Sequence, residues 1–293
     1  IFLVLTYRCN AFCKKCMTRY YFKRNQEMPL NLMNFILDKM QSAEYVGCVS
    51  VGSGEPLLYS NLDKLVCGVL NMNQGSTMRI LSNGMLFRDD LPITFFNHRC
   101  KWGITFDGFS KETLSGMQYG VDPEIVKENV TAVVKKYGPD CLYLNYTLHQ
   151  KNYQELPAFC AFAANLGIKE VYSTELLVFE GYEKRLSSYA IQKTPEVHEA
   201  YQQAWEALSA KGISTEGVIE RDGSNKFACF KKNMASPIID VDGAITFCSG
   251  HEDVELGNIR DSDIEEKWDA FYRGLCNAPL GWCSKCHSRK LSN

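Results

Sequence analysis

The amino-acid sequence predicts an α/β fold, a partial (β/α)6 barrel followed by a small α+β domain at the C-terminal end. Strand-like and helix-like segments alternate over residues 1–177, which is the pattern of right-handed βαβ units around a parallel sheet. The chain of 293 residues is long enough for such a barrel, and its apolar content of 45% is that of an ordinary globular protein.

The individual elements follow from hydrophobic spacing and from capping residues. Six apolar segments are predicted as strands: 1–6, 48–52, 78–82, 102–106, 141–148 and 170–177. Helical spacing between them is clearest at 31–43 and 122–138. In the second of these helices Asp122 is a good N-cap, Pro123 occupies the first helical position, and Gly138 ends the helix.

The pattern changes in the last third of the chain. Residues 194–211 are predicted as a helix, 236–250 as a β-hairpin with Asp242 and Gly243 at its turn, and 261–275 as a short helix. We therefore divide the chain into a barrel (1–190), a linking helix and loop (191–221) and a C-terminal domain (222–293).

Composition narrows the class of protein. A net charge of −2 gives no broad basic face, so we expect no nucleic-acid partner. No run reaches the roughly 18 apolar residues of a membrane span. Thirteen cysteines in clusters favour metal ligands in a cytoplasmic protein over disulfides. Because Ile1 opens directly into an apolar strand, we expect a further segment to precede it.

The first cysteine cluster, Cys9, Cys13 and Cys16, directly follows the first strand. It therefore lies at the carboxyl end of the parallel sheet, where α/β barrels place their active sites. Three thiolates can hold three irons of a cubane and leave the fourth iron open for a ligand. We expect the neighbouring basic residues, Arg8, Lys14, Lys15 and Arg19, to lower the thiol pKa values. A zinc site with a distant fourth ligand is the alternative.

Residues 9–16, CNAFCKKC, resemble the CxxxCxxC signature of the radical S-adenosylmethionine (SAM) superfamily. Three segments at successive strand ends agree: VGSGEPLL (51–58) is similar to the GGEP motif that contacts the SAM amine, LSNG (81–84) to the ribose-side TNG, and ITFDG (104–108) to ISIDG. The resemblance implies a radical SAM barrel with SAM contacts from Gly52, Ser53, Gly54, Glu55, Ser82, Asn83 and Asp107. It departs from the family at Lys15, where many members carry an aromatic residue that packs on adenine.

Strand alternation predicts a polar lumen for this barrel. Tyr143, Asn145, Thr147 and His149 share one face of the fifth strand, and Gly103, Thr105 and Asp107 share one face of the fourth. Thr105 and Asn145 are further candidates for cofactor binding, with a structural hydrogen bond as the alternative for each. Tyr143, His149 and Glu175 are candidates for substrate contacts.

A second cysteine cluster lies near the C-terminal end, at Cys229, Cys248, Cys276, Cys283 and Cys286. Spacing alone leaves zinc and iron–sulfur comparable. Two neighbouring sequence segments resemble the twitch and SPASM extensions of radical SAM enzymes: IDVDGAITFC and ELGNIRDSDIEEKWDAF. That resemblance implies one auxiliary [4Fe–4S] cluster on Cys229, Cys248, Cys283 and Cys286. Cys276 is then a spare thiol, an alternative ligand or a hydrogen donor.

The resemblance also implies a reaction. An external reductant such as flavodoxin or ferredoxin supplies one electron to the [4Fe–4S] cluster, and SAM is cleaved to methionine and a 5′-deoxyadenosyl radical. The radical abstracts hydrogen from a small polar substrate, an amino sugar or related intermediate, leading to dehydrogenation or epimerisation. The alternatives are a maturase of ribosomal peptides and a non-catalytic zinc or iron–sulfur module.

The other cysteines (48, 67, 100, 141 and 160) are predicted to be small buried hydrophobes.

Overall fold

The computed structural model describes residues 1–16, 25–176, 186–220, 236–246 and 255–277. Its centre is a parallel sheet that confirms the predicted α/β class. Six strands lie side by side in chain order: β1 (Phe2–Val4), β3 (Cys48–Gly52), β4 (Thr77–Ser82), β5 (Cys100–Phe106), β7 (Leu142–Leu148) and β8 (Val171–Glu175). All six fall inside or within two residues of the predicted segments, because each is a short apolar run between turn residues.

Two further strands form a separate antiparallel pair. They are β2 (Phe12–Cys13), which lies in the predicted cysteine loop, and β6 (Gln118–Tyr119). Phe12 is paired with Tyr119 and Cys13 with Gln118. This pair joins the cysteine loop to the segment that follows β5.

Helices connect the parallel strands. They are α1 (Leu30–Ser42), α2 (Leu62–Met72), α3 (Lys111–Ser115), α4 (Pro123–Tyr137), α5 (Leu156–Asn165), α6 (Pro195–Ser209) and α7 (Ile264–Asn277). The predicted caps of α4 are confirmed, since Asp122 accepts a hydrogen bond from the Glu124 N–H at 3.0 Å and Gly138 has φ +85°. No helix in the described ranges has the length and apolar character to cross a membrane.

The core lies between the sheet and these helices, and its largest fully buried side chains include Trp102, Tyr146 and Phe159. Helix α5 contacts both β7 and α6, so it is buried on more than one side. This is why its sequence, LPAFCAFAAN, lacks a distinctive apolar stripe and was not predicted as a helix.

The C-terminal hairpin extends the same sheet. Strand β9 (Ile238–Ile239) runs parallel to β1, and β10 (Ala244–Thr246) and β11 (Glu255–Asn258) follow as antiparallel neighbours. The predicted turn is confirmed, because Gly243 has φ +91° and its N–H donates to the Asp240 carbonyl at 2.9 Å. The nine-stranded sheet is therefore continuous from β11 to β8, whereas the division of the chain at residue 222 stays a prediction.

Candidate active site at the carboxyl edge of the sheet

The loop after β1 carries the three clustered cysteines and is fixed by the loop after β3. The N–H of Gly54 donates to the Thr6 carbonyl at 3.0 Å, and the N–H of Glu55 donates to the Arg8 carbonyl at 2.8 Å. A Cβ at Gly54 would lie 2.5 Å from the Thr6 carbonyl oxygen, so only glycine allows this approach. Ser53 is held at φ +88°, a conformation that L residues rarely adopt.

Cys9 is exposed, and Cys13 and Cys16 are half-buried. The Ala11 N–H donates to Cys9 Sγ at 3.4 Å, and Asn83 Nδ2 lies 3.9 Å from the same sulfur. Burial raises the pKa of Cys9 to about 11 and raises the pKa of Cys13 still further. The expected lowering by basic neighbours is therefore wrong for these two thiols, because desolvation outweighs the effect of Lys15 on Cys13.

Glu55 lies behind the cysteine loop with its carboxylate turned into the protein. It is almost fully buried and accepts hydrogen bonds from Ser82 Oγ at 2.9 Å, the Asn83 N–H at 3.0 Å and the Leu57 N–H at 3.3 Å. Burial raises the pKa of this carboxyl to about 7, although the three hydrogen bonds oppose the shift. Glu55 therefore joins the ends of β3 and β4 and orients Asn83, whose Nδ2 also donates to Asn10 Oδ1 at 2.8 Å.

Lys15 reaches from the cysteine loop into the lumen. Its ammonium forms an ion pair with Asp107 and a hydrogen bond to Thr147 Oγ1 at 2.5 Å. The Lys15 side chain is 24% exposed and that of Asp107 is 1% exposed, so this ion pair gives a buried carboxylate a countercharge. The position where an aromatic residue was expected thus carries an ion pair that joins the cysteine loop to the ends of β5 and β7.

His149 is a structural residue in this arrangement, contrary to its interpretation as a substrate contact. The Lys151 N–H donates to Nδ1 at 3.2 Å, so Nε2 carries the proton and donates to the Asp107 carbonyl at 3.1 Å. Burial lowers the pKa of His149 to about 4 and keeps the ring neutral. Asn152 Nδ2 also donates to the Asp107 carbonyl at 3.1 Å, which fixes the end of β5.

The other two candidates for substrate contacts lie away from the open edge. Tyr143 is buried deep in the lumen, packed over Gly103 with the Arg79 guanidinium 5.2 Å from its ring centre. Glu175 faces the opposite side of β8, where Tyr201 donates to it at 3.3 Å and Lys193 pairs with it. The prediction for Glu175 is wrong because the inward side chains of β8 are those of Tyr172 and Thr174.

Two walls of different chemistry line the lumen. The polar wall includes the half-buried Thr105 and Asn145, and Thr174 Oγ1 donates to Asn145 Oδ1 at 3.4 Å. The wall on the side of β1 and β9 is an apolar cluster outside the main core. It consists of Val4, Ile238 and Val241, with Phe2 and Tyr7 packed against it. Sequence reasoning missed Thr174 and this apolar wall, although the alternation of β8 contained the signal for Thr174.

The structure does not test the predicted auxiliary cluster on the C-terminal cysteines. Cys229, Cys248, Cys283 and Cys286 lie outside the described residues, and Cys276 lies in α7 with its side chain outside them. Among the described residues, no three His, Cys, Asp or Glu side chains are placed to hold a single metal ion. Of the remaining cysteines, Cys100, Cys141 and Cys160 are buried as predicted, and Cys48 and Cys67 are half-buried.

A parallel α/β sheet with a three-cysteine loop at its carboxyl edge is the arrangement of radical SAM proteins, and a comparison with protein families agrees. The Radical SAM superfamily matches residues 3–163, more than half of the chain, so the chain belongs to this superfamily. A Pyrococcus furiosus protein, the tungsten-containing aldehyde ferredoxin oxidoreductase cofactor-modifying protein, is 24% identical over 301 residues, which cover 92% of this chain and 80% of that protein.

Solved structures share the fold at low sequence identity. Streptococcus suis SuiB bound to S-adenosylmethionine is 15% identical with a TM-score of 0.69, covering 99% of this chain and 71% of that chain. The anSMEcpe structure with AdoMet and the Cp18Cys peptide is 16% identical with a TM-score of 0.69, covering 99% and 87%. BtrN in complex with AdoMet and 2-DOIA is 16% identical with a TM-score of 0.56, covering 98% and 90%. Superfamily membership and these AdoMet-bound relatives imply a SAM-dependent iron–sulfur enzyme.

Proposed function

We propose that Cys9, Cys13 and Cys16 hold a [4Fe–4S] cluster whose open iron binds SAM. The observation that carries the proposal is that three cysteines stand on one loop, which the loops after β3, β4 and β5 all contact. The residues fit such a cluster because the charges of the three sulfurs act on one another, and N–H groups of Ala11 and Asn83 point at Cys9 Sγ.

When bound and reduced, the cluster and SAM supply one-electron cleavage of SAM to methionine and a 5′-deoxyadenosyl radical. The chain's own residues hold and orient the ligand. The backbone of Gly52, Ser53 and Gly54 borders the SAM amine, and Ser82, Asn83, Thr105 and Asn145 contact its polar groups. Glu55 and Asp107 act as positioning residues, because their carboxylates are already bonded to Ser82, Asn83 and Lys15.

The substrate we propose is a small polar molecule that undergoes dehydrogenation or epimerisation. A lumen with one polar wall and one apolar wall suits a compact ligand that is held by hydrogen bonds on one side. In this proposal Cys229, Cys248, Cys283 and Cys286 hold the auxiliary [4Fe–4S] cluster, Cys276 is the hydrogen donor of an epimerisation, and a flavodoxin or ferredoxin is the reductant. Turnover in heavy water separates the two reactions, because epimerisation incorporates deuterium whereas dehydrogenation removes two hydrogens.

A ribosomal or protein-derived peptide is the second candidate substrate. It is favoured by the higher TM-scores to structures that contain peptides, 0.69 for SuiB with its precursor peptide SuiA and 0.69 for anSMEcpe with Cp18Cys, against 0.56 for BtrN. Anaerobic incubation of the reduced protein and SAM with a set of amino sugars and a set of peptides, each compound tested separately, distinguishes the two candidate substrates. The true substrate class is the one for which the amount of 5′-deoxyadenosine formed rises in proportion to the amount of product.

Reductive cleavage of SAM tests the proposed function. Anaerobically reconstituted protein with dithionite and SAM should release 5′-deoxyadenosine, and the triple variant Cys9→Ala, Cys13→Ala, Cys16→Ala should release none. A Cys67→Ala variant is the matched control, because Cys67 is a half-buried thiol in α2 outside the cysteine loop, and it should keep the parent rate. Continued cleavage by the triple variant, or stoichiometric zinc with no visible absorbance in the parent, would contradict the proposal.

A further inference from the structure

The β2–β6 pair has two faces of opposite character. Phe12 and Tyr119 are directly opposed and outward, 40% and 50% exposed, with ring centres 6.4 Å apart. Cys13 and Gln118 are the next opposed pair, so their side chains project from the other face. Gln118 is only 5% exposed, which makes this the buried face of the pair.

The buried face points toward the proposed cluster. The Cys13 thiol lies close enough to Asp107, Lys15, Cys9 and Cys16 for their charges to act on it. Opposed side chains of an antiparallel pair have Cβ atoms about 5 Å apart, so Gln118 and Cys13 are neighbours on this face of the pair. Backbone contact holds it there, since the Lys14 N–H donates to the Met117 carbonyl at 2.8 Å.

Gln118 also carries an unsatisfied polar atom. Its Oε1 is buried and has no hydrogen-bond donor in the structure, one of two such side-chain atoms among the described residues. A buried acceptor without a donor is costly, and native proteins leave few of them. The other such atom, Ser173 Oγ, lies on β8 and its residue belongs to the outward face of the sheet.

We propose that Gln118 is a SAM contact, with its Oε1 accepting a hydrogen bond from a donor group of bound SAM. This inference rests on the proposed function, because it requires a cluster at Cys13 with SAM beside it. Thiolates and cluster sulfides are acceptors and cannot satisfy Oε1, whereas SAM offers an ammonium, two ribose hydroxyls and an adenine amine. Gln118 lies outside all the motif-like segments of the sequence, so spacing gave no sign of it.

The test measures SAM affinity rather than turnover. Equilibrium dialysis of labelled SAM against reconstituted, unreduced Gln118→Met protein should give a Kd raised about tenfold over the parent, because the SAM donor is left unpaired. Methionine keeps the length and flexibility of glutamine but not its acceptor. Tyr119→Leu, a change on the opposite face of the same pair, should leave the Kd unchanged, and iron content should be equal in all three proteins.

SAM analogues that each lack one donor (the amine, one ribose hydroxyl or the adenine amine) give a measurement that does not depend on the variant's stability alone. The parent should lose about tenfold affinity for one analogue, and Gln118→Met should not distinguish that analogue from SAM. An unchanged Kd in iron-replete Gln118→Met, or equal losses in parent and variant for every analogue, would overturn the inference. Failure of the parent protein itself to bind SAM would instead contradict the proposed function.

Discussion

Lys15 illustrates at the scale of one residue how the site departs from its family pattern. Its ammonium pairs with Asp107, whose side chain is 1% exposed and forms an ion pair with no other cation within the described ranges. Removing one partner of a buried pair leaves an uncompensated charge, which costs far more than an exposed pair contributes. Through this ion pair, Lys15 fixes the cysteine loop to the end of β5.

Lys15→Met should lower the free energy of unfolding by about 3 kcal/mol, because it leaves the Asp107 carboxylate buried and unpaired. The double variant Lys15→Met, Asp107→Asn should recover most of that loss, since neither charge remains. Chemical denaturation of the cluster-free proteins measures both. Lys169→Met is the control, because the Lys169–Asp140 pair is 74% and 75% exposed and should contribute about 0.5 kcal/mol. Simple additivity of the two substitutions at the buried pair would contradict this account.

Glu55 predicts a pH dependence of stability with a defined sign. Its pKa in the folded protein is about 7, above the ordinary value of 4.5, so the folded state binds the proton more tightly than the unfolded state. The associated stability is fully present below pH 4.5 and is lost as pH rises through 7. Relative to Glu55→Gln, the parent should lose up to about 3 kcal/mol between pH 4.5 and 8 in denaturation experiments.

Glu155 provides the control of opposite sign for this experiment. Burial opposes its ionisation, but hydrogen bonds from Ser110, Thr113 and the Phe109 N–H outweigh burial and lower its pKa. Its contribution to stability is therefore present above its ordinary pKa and is lost as pH falls. Comparison of the parent with Glu155→Gln should show a slope opposite to that of Glu55→Gln, and slopes of the same sign would show that the Glu55 assignment is wrong.

At the scale of elements, the turn after β4 is fixed from two sides. Gly84 has φ +80°, and a Cβ there would lie 2.6 Å from Val126 of α4 and 2.9 Å from Ile104 of β5. Asn129 of α4 donates to the Gly84 carbonyl at 3.0 Å. Helix α4 thus holds the turn that places Asn83 against the cysteine loop.

Gly84→Ala should therefore be more destabilising than an alanine at a glycine with similar backbone and free space. Gly212 is that control, with φ +68° and no atom within 4 Å of an added Cβ. We expect Gly212→Ala to cost about 1 kcal/mol from backbone strain and Gly84→Ala about 2 kcal/mol more from overpacking. Thermal unfolding measures the difference, and equal losses at the two positions would mean that the contacts with Val126 and Ile104 do not constrain the turn.

The helices and strands differ in how well the sequence predicts them. Strands of the parallel sheet were predicted because they are short apolar runs, and α4 because its caps and stripe agree. Helix α5 was missed because burial on several sides removes the stripe. Glu175 was assigned to the lumen although it packs on α6, because strand alternation separates two faces without saying which one is inward.

At the scale of the whole molecule, the order of motifs predicted where the site lies but not how it is held. Four segments at successive strand ends meet at one edge because parallel strands share a carboxyl edge. Their mutual contacts depend on packing between distant segments: Lys15 with Asp107 across 92 residues, and Tyr7 with Asp240 across 233 residues at 2.8 Å. Contacts between residues so far apart produce no recognisable pattern in the sequence, which is why neither these contacts nor the role of Gln118 is predicted from it.

The continuous sheet also connects the two ends of the chain. Strand β1, which leads into the cysteine loop, lies between β3 and the C-terminal strand β9. The Tyr7–Asp240 hydrogen bond adds a side-chain contact between that loop and the hairpin turn. The hairpin is therefore part of the wall of the site, and its Ile238 and Val241 line the lumen beside Phe2 and Val4.

We propose that SAM binds the open iron of a cluster held by Cys9, Cys13 and Cys16. Electron paramagnetic resonance of the reconstituted, dithionite-reduced protein with and without SAM tests it most directly. We predict that SAM shifts the g-values of one [4Fe–4S] signal and that this SAM-responsive signal is absent from the triple cysteine variant. A spectrum unchanged by SAM, or a SAM-responsive signal that persists in the variant, would contradict the account.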